Sequence, residues 1–226
     1  MTPSACRRPS RLRGGVRAAS ALRMVRRRAH RYPAAMDTPS SPRDVAALRA
    51  SLAHATRRGL GMTLASCVYW AGLAGVVAWA GLAEDAIAMF FLVATVIVYP
   101  LGWMLDRLVG GDLLARGHPF SHLVWALAAT QVLGWPSLVI VFVQAPHLLA
   151  FALAALLGAH FLPYGWLYRS TAYYALGIGT VLVAAGVQCW LPRAANVAIP
   201  LAMLACYALA SLGVWRGNRA SGMHAC

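Results

Sequence analysis

The stretch HLLAFALAALLGAHFLPYGWLYR, His147 to Arg169, decides the class of this protein. It carries no Asp, Glu, Lys or Arg until Arg169 closes it. At 1.5 Å per residue, about 20 apolar residues in a helix cross a ~30 Å hydrocarbon core. The stretch is that long and reads as a membrane span ending at Tyr168. Three features set it apart from plain apolar sequence: His160 lies inside the run, Pro163 follows three residues later, and Tyr164, Trp166 and Tyr168 crowd its last turn.

Five further runs have the same character. They cover Leu60 to Ala83, Ala86 to Leu105, His122 to Val143, Thr171 to Leu191 and Ala194 to Trp215. The chain of 226 residues is 60% hydrophobic and only 12% charged, about half the charged fraction of a soluble domain. Lipid cannot satisfy exposed backbone groups, so helices are the natural spanning form. The expected fold is all-α: an integral membrane bundle of six transmembrane helices over residues 60–215, with a tail at 216–226.

Arginine placement orients the bundle. Arg57, Arg58, Arg107, Arg116, Arg169, Arg216 and Arg219 fall at one end of alternating spans, and Arg193 alone falls at the other. The positive-inside rule makes these residues topology anchors and puts both termini in the cytoplasm. The partners expected are the lipid bilayer itself and anionic headgroups at the cytoplasmic face.

The net charge of +14 is concentrated before the first span: residues 1–35 hold ten arginines and no acid, against ten arginines and six acids beyond them. The segment 1–40 reads as a disordered basic tail rather than a nucleic-acid-binding arm, and Met36 offers an alternative start. It has no apolar core of the kind a secretory signal carries. A short amphipathic helix is expected over 41–58. Ser41 stands at its N-cap, Pro42 at its first position and Asp44 at the third. Val45, Leu48, Leu52 and Ala55 form its stripe. It lies on the cytoplasmic membrane surface or simply leads into the first span.

An ionisable group within a span is a functional hypothesis in itself. His160 beside Pro163 predicts a kinked helix with a polar pocket, a proton relay or a ligand site. The competing reading is a neutral histidine bonded to a facing glutamine or carbonyl, which fixes helix packing. Gln131 in the third span is at the right depth to be that partner, and with Tyr164 and Trp166 it completes the candidate intramembrane site. The tyrosines of this region, Tyr173 and Tyr174 included, otherwise make an aromatic belt at the interface. His118 and His122 are four apart, but Pro119 between them works against a shared metal site. Ala71 and Gly75, Ala154 and Gly158, and Ala175 and Gly179 have helix-contact spacing. Cys67, Cys189 and Cys206 lie within spans as small packing residues. No nucleotide, hydrolase or metalloprotease motif is found, so no cofactor, metal or catalytic residue is assigned and enzymatic activity is not expected.

The leading helix Arg43 to Gly61, the loop GGDLLARGHPFSHL from Gly110 to Leu123, the pair Thr130-Gln131 and above all the AHFLPYGWLYRS string ending at Ser170 together resemble an uncharacterised family of small bacterial multi-pass membrane proteins. The resemblance covers roughly residues 40–190. It implies an integral membrane location and assigns no activity; the expected location is the bacterial cytoplasmic (inner) membrane. The functional expectation is small-molecule transport or ligand binding around His160. A membrane scaffold or accessory protein without a substrate is the alternative.

Overall fold

Long apolar runs must hydrogen-bond within themselves in lipid, and they do so here as helices. The computed structural model describes residues 42–222, which fall within one unit, Ser41–Cys226. The basic segment 1–40 with Met36, Ser41 with its expected N-cap role, and the last four residues lie outside the described residues. Among the described residues all regular structure is helical. Six segments are long and apolar enough to cross a membrane: Arg57–Trp79, Glu84–Leu108, Ser121–Gln144, Pro146–Leu167, Thr171–Trp190 and Pro192–Ala220. They are spans one to six. A leading helix, Pro42–Ala55, precedes them.

The boundaries differ from the sequence expectation where local chemistry intervenes. Span one stops at Trp79 rather than Ala83, and Gly81 turns the chain in the left-handed region at φ 56°. Glu84 and Asp85 form the first turn of span two rather than a loop. Acids there face the positive end of the helix dipole. Span two tightens into a 3-10 turn at Thr95–Ile97. Pro100 lies four residues beyond Val96 and has no N–H to return to its carbonyl. Span six continues through residues 216–220, read from sequence as tail, and ends at Ala220.

Span one is the hub. It packs against span six and the second half of span two, while spans four and six flank span five. Trp70, Leu73, Phe91, Leu153, Ile199, Met203 and Tyr207 are sealed inside. Helices in lipid gain no hydrophobic driving force from meeting, so close approach matters more. A Cβ on Gly61 would stand 2.3 Å from the backbone nitrogen of Asp106, and one on Gly158 would stand 1.9 Å from Thr180 Oγ1. Of the three small-residue pairs, then, Ala154 with Gly158 sits at a tight crossing. Gly75 and Gly179 face open space.

The leading helix does not present its stripe to a bilayer. Leu48 and Leu52 are buried, and Leu52 joins the core of the bundle. The loop after span two clamps the helix: the Asp112 N–H donates to the Ala55 carbonyl at 2.9 Å. From this helix the chain enters span one through Arg57, Arg58 and Gly59, all left-handed, with φ 49°, 53° and 65°. That conformation is costly for the two arginines. Asn218 Nδ2 donates to the Arg57 carbonyl at 2.8 Å, and the Tyr173 hydroxyl donates to the Arg58 carbonyl. Spans five and six thereby hold the turn in place.

Candidate functional site: a cavity beside His160

Span four is not one continuous helix. It runs from Leu149 to Ala159, breaks at His160 and Phe161, and resumes over Leu162–Leu167. Pro163 cannot donate to the Ala159 carbonyl. The break shows in the hydrogen bonds: Phe161 N–H reaches only three residues back, to the Gly158 carbonyl at 2.9 Å.

Beside the break lies a cavity of about 710 Å³. Spans one, two, three and four contribute most of its wall, joined by Leu113 and Leu114 of the loop after span two and by Tyr173 and Tyr207. The lining is chiefly apolar. Among the described residues it contains His160, Gln131, Thr95, Ser66 and several phenols as polar groups, with no Asp or Glu. A largely apolar concavity with a few placed polar groups is the usual form of a small-molecule site.

His160 Nδ1 lies 3.5 Å from Thr130 Oγ1, so the near hydroxyl comes from the residue before Gln131. The ring meets Phe161 and Tyr164 edge-on at 5.7 and 5.1 Å. From Tyr164 the aromatic contacts pass to Tyr168 at 5.7 Å and on to Tyr173 at 5.6 Å. Phe161 stacks on Tyr173 at 5.6 Å and meets Tyr207 edge-on at 5.7 Å. Such offset and edge contacts satisfy the ring quadrupoles and stiffen the wall. Another polar group lies at Thr95, which also lines the cavity: the Thr95 and Tyr69 hydroxyls both donate to the Phe91 carbonyl, at 2.8 and 3.1 Å.

Gln131, His160 and Tyr164 thus line one cavity. Trp166 does not join them: it is 46% exposed, and the Arg49 guanidinium lies 4.3 Å above its ring. Tyr168 and Tyr173 are buried rather than held in an interfacial belt, while Tyr174 is exposed. Of the arginines, Arg107 and Arg219 cover Trp103 and Trp215, at 4.2 and 4.1 Å. Tyr207 was missed; its signal was a tyrosine near the middle of span six, far from either interface.

Two polar residues at the arginine-bearing end, Asp106 and His118, are buried, which the sequence did not indicate. Asp106 is fully buried. Gly61 and Leu113 turn backbone N–H groups toward its carboxylate without closing a full hydrogen bond. A Cβ on Gly111 would press to 2.6 Å from Oδ1. His118 is 2% exposed. The Phe120 N–H donates to its Nδ1 at 3.1 Å, so Nε2 carries the proton and donates to Ser51 Oγ at 2.9 Å. Burial lowers its pKa from 6.5. His118 therefore ties the loop to the leading helix, and His122 is exposed beyond it.

A family model described as a family of unknown function, DUF7010, matches residues 45–217. The chain belongs to that family. The match takes in the leading helix from Val45, the loop after span two, all of spans one to five and span six as far as Gly217. The cavity and its aromatic wall thus lie within the family region. No curated protein and no solved structure matches the chain.

Proposed function

We propose that this protein binds a small, largely apolar molecule in the cavity beside His160, as a ligand-binding or transport protein of a bacterial cytoplasmic membrane. The single observation that carries the reading is a cavity of about 710 Å³ opened where span four breaks. The break places an imidazole against an otherwise aromatic and aliphatic wall. His160 and Gln131 supply orientation; Tyr164 and Phe161 supply contact area. The test uses a neutral solvatochromic naphthalene dye with the purified protein. Ala128→Trp, which fills the cavity from span three, should weaken dye binding at least about tenfold. His160→Ala should alter dye affinity or emission while the protein still inserts. Equal dye binding by the Ala128→Trp protein, or loss of insertion on His160→Ala alone, would refute this reading.

The arginine bias supports both termini lying in the cytoplasm, with anionic headgroups near the arginine-bearing end. Reporter fusions at Ser221 and near Asp85 should read cytoplasmic and external. The second reading, a scaffold or accessory protein without a substrate, draws on span three. Val132, Leu133, Ile140 and Val143 on it are all strongly exposed. That reading calls for a stable co-purifying membrane partner and no dye binding at the cavity.

A further inference from the structure

We propose that the basic hollow between the leading helix and the ends of spans four and six binds a phosphate group. The hollow encloses about 460 Å³, and its lining includes Arg49, His54, Arg58, Tyr168, Arg169 and Ser221. Among the described residues no Asp or Glu lines it. It is separate from the His160 cavity, with which it shares only Tyr168 as a wall.

Its three arginines arrive from three places: the leading helix, the left-handed turn that opens span one, and the turn after span four. Gathering like charges in one hollow is unfavourable unless an anion offsets them. Two of the three sit in a backbone conformation that non-glycine residues avoid, with φ 53° at Arg58 and 50° at Arg169. The surrounding fold imposes that conformation and presents these side chains at the end of the bundle.

Two of the three guanidiniums, those of Arg58 and Arg49, are held in place with donors to spare. Arg58 Nη1 donates to Asn218 Oδ1 at 3.0 Å and Nη2 to Ser221 Oγ at 2.9 Å. These bonds use two of the five donors that a guanidinium offers. Arg49 Nη2 donates to the Trp166 carbonyl, and the group lies over the Trp166 ring. Its buried Nε has no partner. Arg169 is exposed at the rim.

A phosphate group suits this set better than a carboxylate. It carries up to two negative charges and three acceptor oxygens, and the flat fork of arginine matches that geometry. The hollow lies where the apolar spans end, which is headgroup depth, and it is open enough to admit a phosphate from solution. A lipid headgroup and free phosphate present the same chemistry. Arg107, at the same end of the bundle, lies over Trp103 and does not line the hollow.

The test uses the full-length protein in nanodiscs. Inorganic phosphate is titrated calorimetrically into phosphatidylcholine discs, and melting is compared in discs with and without phosphatidic acid. At least one probe should bind the wild type saturably or raise its melting midpoint. Arg169→Gln should weaken that response about tenfold, and Arg169→Lys should restore part of it. His54→Gln, at an exposed position of the leading helix, gives a second variant with a smaller loss. Arg116→Gln removes the same charge from the same end but outside the hollow, and should change the response less than about twofold. Binding of inorganic phosphate identifies a soluble phosphate ligand; a response to phosphatidic acid alone identifies a headgroup. The proposal fails if neither probe acts on the wild type, or if Arg116→Gln and Arg169→Gln weaken the response equally. Either failure leaves the dye-binding test of the His160 cavity unaffected.

Discussion

Span one and span three have nearly the same length, 23 and 24 residues, and similar mean hydropathy, 1.6 and 1.8. Yet half of span one's apolar window is buried inside the protein, against 6% of span three's. Hydropathy reports the solvent a helix prefers, and lipid and protein interior are equally apolar solvents. What separates the two spans is shape and hydrogen bonding. Span one carries Gly61 at a backbone crossing, buried Thr63 and Ser66 whose hydroxyls bond back to its own carbonyls, and Tyr69 donating across to span two. Span three carries large aliphatic groups that point away from the bundle, and its inner face forms one wall of the cavity.

Substitutions in the two spans should break the comparison if it is wrong. The largest effect is expected at Gly61. Gly61→Leu places a side chain against the Asp106 backbone, which cannot yield, and should cost more than about 4 kcal/mol or prevent folding. Recovery of a normally melting protein would show that span one is not the tight hub described. Trp70→Ala comes next, at about 3–5 kcal/mol, because the ring is wholly buried. Reversible unfolding in mixed micelles measures both.

A smaller, pH-dependent effect is expected at His118, which fastens the loop beside span one. Its pKa is lowered in the folded protein, so the fold favours the neutral ring. The unfolded chain takes up a proton below about 6.5. The stabilisation is therefore complete above that pH and is lost as the pH falls from there through the lowered folded-state value. Melting midpoints from pH 8 to 5 should slope downward at the acid end. His118→Gln should flatten part of that slope, and His122→Gln, at an exposed position, should not. An unchanged slope in the His118 variant would dismiss the clamp. The smallest effect is expected on span three, where Leu133→Ala, at a 77% exposed position, should change stability by less than about 0.5 kcal/mol. A loss as large as that of Trp70→Ala would mean that span three is packed against a partner.

Much of the candidate site was legible for one reason: a histidine near a proline in an apolar run is rare. His160, Gln131 and Tyr164 were named from that logic, and they line one cavity. Trp166 was named with them on proximity in sequence. Ending helices rotate their faces by about 100° per residue, so two positions from Tyr164 a side chain points elsewhere. Thr130 was passed over for the stronger hydrogen-bonder beside it for the same reason. The burial of Asp106 and His118 has no signal in the sequence because it depends on Gly61, Gly111 and the leading helix closing over them from distant parts of the chain.

The helical class, the six spans and the arginine-bearing end follow from the order of amino acids alone. Each depends on length, hydropathy and charge, which are sums along the chain. Three-dimensional packing is needed to see which spans are central, which small-residue pair is a true crossing, and that Arg49, Arg58 and Arg169 share one hollow. Those outcomes depend on which helix faces meet. In lipid that choice comes from close packing and paired polar groups between residues far apart in the chain, and periodicity within a single helix does not encode it.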